Sequence, residues 1–134
     1  AKTKAELEEE LAAITREWGG PFDLGKGAPS FDVDEDERKW FAAYSRASAS
    51  PQDAIKAWRW GAEVDQRAML PELRVPTLVL HRLGDRWVKI EEGRFLAAHI
   101  PGAQLATFPG EDHLIWAGNS EPILAEVERF AAEL

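Results

Sequence analysis

Two short strand-like segments, each followed by a turn or loop and a helix, constrain the fold of this 134-residue chain more than any other feature. The first is Pro76-Thr77-Leu78-Val79-Leu80, which follows Leu73 and Val75. Apolar residues on both alternating faces need cover on both, the condition of a strand in a parallel sheet. Gly84-Asp85 ends this strand. The spacing then predicts a helix over 90–99, with Ile90, Phe95, Leu96 and Ile100 inward. Pro101-Gly102 makes a turn, and Gln104-Leu105-Ala106-Thr107-Phe108 reads as the second strand. Pro109-Gly110-Glu111-Asp112-His113 forms a loop at its end. Ser120 caps a last helix whose apolar residues are Ile123, Leu124, Val127 and Phe130. The order strand–helix–strand–helix is a βαβα unit with a right-handed crossover.

The residues before this unit are helical and rich in aromatics. Leu7, Leu11, Ile14 and Trp18 mark one face of a helix over 4–18, which Gly19-Gly20-Pro21 stops. A Gly/Pro-rich loop over 19–33 follows, with Phe22 and Phe31 as anchors. Asp34 caps a second helix, with Glu37 completing a capping box and Trp40, Phe41, Tyr44 and Ala47 on one side. Ser50-Pro51 starts a third helix, with Ala54, Ile55, Trp58 and Ala62 as its apolar stripe. No internal repeat and no low-complexity tract is present.

Composition narrows the setting. The chain is 45% apolar with six tryptophans, so it can bury a core and is not a disordered tail. It has no cysteine, which excludes a disulfide-stapled framework. Sixteen basic and 24 acidic residues give a net charge of −8, unsuited to nucleic acid or an anionic membrane. No apolar run approaches the ~18 residues of a membrane span, and the charged N-terminal segment is not a signal peptide. The expected setting is soluble and cytoplasmic.

Two strands do not make a stable, doubly covered sheet. The chain is therefore expected to need the rest of a larger protein or a second chain, for instance in a homodimer, to complete the sheet.

In open α/β sheets function sits beyond the carboxyl ends of the strands. Asp85 follows the first strand and His113 the second. Neighbouring strand ends lie about 4.8–10 Å apart, which lets a carboxylate reach an imidazole. An Asp that orients a His is two thirds of a nucleophilic triad. A turn-capping Asp and a surface His are the plainer reading of the same residues.

The local sequence adds a resemblance. Val75-Pro76-Thr77-Leu78-Val79-Leu80-His81, followed by Gly84-Asp85-Arg86 and Val88, resembles the acid-bearing strand of α/β-hydrolases. Gly110-Glu111-Asp112-His113 resembles their histidine loop, 28 residues after Asp85. Asp65, Arg67, Leu70, Pro71 and Leu73 resemble the linker from a helical cap, and residues 1–66 the cap itself. The whole phrase is most similar to bacterial α/β-hydrolase domains joined to class III adenylate/guanylate cyclases. Lys89 stands where that pattern usually has Pro. The resemblance implies a cap over 1–66, a C-terminal core part over 67–134, Asp85 as triad acid and His113 as base, no cofactor, and a small acyl substrate.

One element of the pattern is absent. None of Ser30, Ser45, Ser48, Ser50 and Ser120 sits in a G-x-S-x-G elbow. The expectation is a C-terminal fragment of a serine hydrolase whose nucleophile lies outside these residues. The alternative is a non-catalytic sensor or dimerisation module regulating an attached cyclase. Trp40, Tyr44, Trp58 and Trp116 are candidates for an acyl pocket or, equally, for core packing. His81, His99 and His113 match no compact ligand spacing, so no metal is expected. His81 reads as a structural histidine.

Overall fold

The structure is a computed structural model that describes residues 3–18, 20, 25, 27–31 and 34–134. Gly19, Pro21 and Phe22, named above as a helix stop and an anchor, lie outside the described residues. The chain divides into two units. The first takes the described residues of 1–23 with 34–65, and the second those of 24–33 with 66–134. The segment around Gly27 and Ser30, read above with the cap, thus belongs to the second unit.

In the first unit, α1 (Lys4–Glu17), α2 (Glu35–Ser48) and α3 (Pro51–Glu63) are the three helices. Their starts are set by side chains. Thr3 and Glu6 form a full reciprocal capping box at α1. Asp34 accepts from the Asp36 and Glu37 amides at α2, and Ser50 accepts from the Asp53 amide at α3. Leu11, Ile14 and Ala54 form the buried core, with Leu7, Trp18, Ile55 and Trp58 packed on it. Each fully buried Leu or Ile contributes about 1.5–3 kcal/mol. Two tryptophans are also tied by their indole N–H groups, Trp18 to the Ala49 carbonyl (3.0 Å) and Trp58 to Glu10 (3.3 Å).

α2 departs from its expected stripe. Ala42 and Ser45 are its buried residues, while Trp40 and Tyr44 are 52% and 48% exposed. The two rings stack on each other, centroids 5.6 Å apart. Ring faces one helical turn apart cover each other, and small residues make the buried seam instead.

In the second unit a 3-10 helix (Arg67–Glu72) leads to β1 (Leu78–Arg82), α4 (Ile90–His99), β2 (Gln104–Phe108) and α5 (Glu121–Ala132). β1 and β2 pair in parallel, Leu78 opposite Gln104 through Arg82 opposite Phe108. Among the described residues the sheet has only these two strands, so each has one edge without a strand partner. That explains the incomplete burial. Leu78 to His81 are half-buried rather than buried. On the helices Ile100 and Ile123 are buried, but Leu96, Leu124 and Val127 are exposed, against expectation, because two strands cannot cover a whole helix face.

Ser120 holds the N-cap position of α5 but makes no side-chain cap bond. Its backbone is helical (φ −93°, ψ −15°), and Pro122 offers no N–H to accept.

Candidate active site

The backbone pairing of β1 and β2 continues past the strand ends and delivers the site. The Leu83 amide donates to the Phe108 carbonyl, Gly84 to Gly110 and Arg86 to Glu111, at 2.9, 2.9 and 3.1 Å. These bonds hold the turn after β1 against the loop after β2. The Arg86 and Glu111 side chains add an exposed ion pair across the same seam. Asp85 and His113, 28 residues apart in sequence, thereby meet: His113 Nδ1 lies 2.8 Å from Asp85 Oδ2.

Each partner is fixed separately. The Asp85 side chain is 5% exposed, and its other oxygen, Oδ1, accepts from the Trp87 (2.8 Å) and Val88 (2.9 Å) amides. Burial pushes the Asp85 carboxyl up. The Val88 amide, the His113 imidazole and the Trp87 amide together outweigh it and hold the carboxyl below its ordinary value. The group is thus a carboxylate at neutral pH. The His113 amide donates to the Gly27 carbonyl at 2.8 Å, which pins the loop. The Trp87 ring meets the His113 ring edge-on, centroids 5.0 Å apart. With Nδ1–H given to the carboxylate, Nε2 is the basic nitrogen, and the His113 side chain is 36% exposed. The pair can take a proton at Nε2 while Asp85 stabilises the imidazolium.

His81 sits behind the acid. Its Nε2 lies 2.9 Å from the Val88 carbonyl and 3.8 Å from Asp85 Oδ2. It therefore ties the turn whose amides hold the carboxylate. Its ring fits because residue 93 on α4 is glycine.

A cavity of about 180 Å³ opens beside the pair, lined by His81, Arg82, Asp85, Asp112 and His113 with Leu80, Ile115 and Ile123. Trp116 is exposed and is not in that lining. Trp40 and Tyr44 belong to the first unit and are exposed, and Trp58 belongs to that unit's packing. The Ser30 amide donates to Asp112 Oδ1 at 2.9 Å, and the Ser30 hydroxyl is buried without a hydrogen-bond partner. His113 therefore does not engage it. Among the described residues no group of three or more His, Cys, Asp or Glu side chains could hold a metal ion. No helix among them is long and apolar enough to cross a membrane.

Sequence reasoning missed Trp87 and Arg82. Trp87 lies two residues after the acid, where an aromatic can reach back to the histidine. Arg82 stands in the phrase His81-Arg82-x-Gly84-Asp85-Arg86 that resembles those hydrolases, but nothing in its type gives it a role, because a charged residue at a strand end normally reads as surface.

No family model matches the chain. Among curated proteins, a pimeloyl-[acyl-carrier protein] methyl ester esterase of Vibrio vulnificus is 31% identical over 108 residues, or 81% of this chain and 39% of that protein. Among solved structures, a hydrolase from Oleispira antarctica has a TM-score of 0.73 at 20% identity, covering 96% of this chain and 48% of that one. An esterase from Exiguobacterium antarcticum has 0.69 at 22%, covering 99% and 47%. The fold is the one found in part of these hydrolases. The chain spans about two fifths of the curated relative and about half of each solved structure. These likenesses support the α/β-hydrolase family that the motifs resemble.

Proposed function

We propose that this chain is the acid- and base-bearing part of a serine hydrolase of the α/β-hydrolase family, acting on an ester or similar acyl bond. The observation that carries the reading is the 2.8 Å contact of His113 Nδ1 with a buried carboxylate that two amides already hold. His113 Nε2 takes the proton of a serine hydroxyl as it attacks the acyl carbon, and later returns it to the leaving alcohol. Asp85 keeps the imidazole in that tautomer. The serine is supplied from outside these 134 residues. The first unit is the cap, and its exposed Trp40 and Tyr44 are the candidates for contact with an acyl chain. The curated relative is named as an ester hydrolase, which supports a carboxylic ester as the substrate class. Assay of short acyl esters on the full-length protein tests the reading. His113→Ala should abolish hydrolysis, and undiminished turnover would sink the assignment.

The open strand edges favour one further reading, pairing with a second copy in a non-catalytic module that regulates an attached cyclase. Mass measured in solution and a degenerate nucleophile elbow upstream would support it. An intact elbow would count against it.

A further inference from the structure

We propose that Arg82 is a positioning residue for His113, an inference that rests on reading His113 as the base. Arg82 closes β1, three residues before Asp85, and is 4% exposed. Its Nη1 donates to the carbonyls of Asp112 (3.1 Å) and Leu114 (3.0 Å), the residues on either side of His113. Its Nη2 donates to the carbonyls of Ile115 (3.3 Å), Ala117 (2.7 Å) and Asn119 (3.3 Å). One guanidinium thus gathers five carbonyl oxygens from a loop of irregular backbone.

A buried cation persists only where acceptors surround it. The Asp112 carboxylate stands off at 3.9 Å, so the carbonyls do most of the solvating. Room for the side chain comes from Gly110, at φ +124°, where a β-carbon would approach Arg82 Cδ to 3.0 Å. The consequence is geometric. Asp85 and Arg82 leave the end of the same strand, one as the acid and the other as the clamp on the base. Arg82 thus adds a side-chain link between the acid's strand and the base's loop to the backbone bonds that already join them. Arginine suits the task because its planar fork carries four N–H groups on the two Nη atoms, against three on a lysine ammonium of shorter reach.

The test is Arg82→Lys in the full-length protein, read three ways: the unfolding midpoint, the NMR resonance of the His113 Nδ1 proton, and kcat and KM for a short acyl ester. The expected result is a His113 Nδ1 proton that shifts upfield or is lost to exchange, and a kcat about 100-fold lower at nearly unchanged KM, the cost of a base about 1 Å out of place. An unchanged proton resonance with unchanged kcat overturns the proposal, whatever the midpoint does. If Arg82→Lys does not fold, Arg82→Gln is read instead, because its amide keeps two N–H donors for at most two of the five carbonyls. A shift of the His113 Nδ1 proton in the same direction is expected, and an unchanged resonance with unchanged kcat overturns the proposal. The two readings fail separately. Hydrolysis that survives His113→Ala removes the base assignment itself. Hydrolysis lost in His113→Ala but untouched in Arg82→Lys removes only the role of Arg82.

Discussion

The His81 ring occupies the space that a side chain at Gly93 would need: a β-carbon at residue 93 would lie 2.7 Å from His81 Nδ1. Gly93 lies inside α4, where alanine would ordinarily stabilise a helix by about 1 kcal/mol. Overpacking against His81 costs about 1–3 kcal/mol and outweighs that gain. Gly93→Ala should therefore destabilise the protein in denaturant unfolding. On a His81→Ala background the same change should stabilise it, because the clash is gone. The same sign on both backgrounds would contradict the packing described.

Asp85→Asn keeps the shape of the acid and an acceptor for the Trp87 and Val88 amides, but not the charge. Its amide no longer requires Nδ1 of His113 to carry the proton. The expected loss in kcat on short acyl esters is about 10⁴-fold, the order seen when a triad acid is replaced by its amide in another enzyme. Loss of less than about tenfold would mean that the pair does not act as a unit.

The same carboxyl sets a pH dependence of stability. Asp85 has its folded-state value below the ordinary 3.8, so the unfolded chain binds the proton first as pH falls. The stability it contributes is full above about pH 4 and is lost as pH drops through the lower folded value. Unfolding free energies of the native protein and of Asp85→Asn should differ most at neutral pH, and the gap should narrow as pH falls below the ordinary carboxylate value. A gap independent of pH would contradict the depressed value.

Two serines at helix starts should behave differently. Ser50 accepts from the Asp53 amide at 3.2 Å and donates to its carboxylate at 2.7 Å, whereas Ser120 makes no cap bond. Ser50→Ala should cost about 1 kcal/mol and Ser120→Ala close to nothing, measured by thermal unfolding. Equal losses would mean that sequence position alone, and not the cap hydrogen bond, carries the effect.

What could be read from the sequence was local. Gln104–Phe108 matches the expected strand residue for residue, because Leu105, Ala106 and Phe108 lie in a short stretch bounded by the Pro101-Gly102 turn and Pro109. Asp85 and His113 stood out because each directly follows a strand and its turn. What escaped depends on contacts between distant residues. Arg82 looks like a surface charge until the carbonyls of 112–119 fold around it. The α2 stripe was misplaced because Trp40 and Tyr44 cover each other, a choice that helical periodicity does not encode. Leu124 and Val127 were expected to be buried, and their exposure reflects how little sheet these residues supply.

The central claim is that His113 activates a serine that these residues do not contain. Treating the full-length protein with a fluorophosphonate, then digesting and mapping the adduct, tests it most directly. The serine oxygen displaces fluoride at phosphorus and passes its proton to His113. One labelled serine is expected, outside these 134 residues, with labelling lost in His113→Ala. Labelling at Ser30, Ser45, Ser48, Ser50 or Ser120, or labelling that survives His113→Ala, would contradict it.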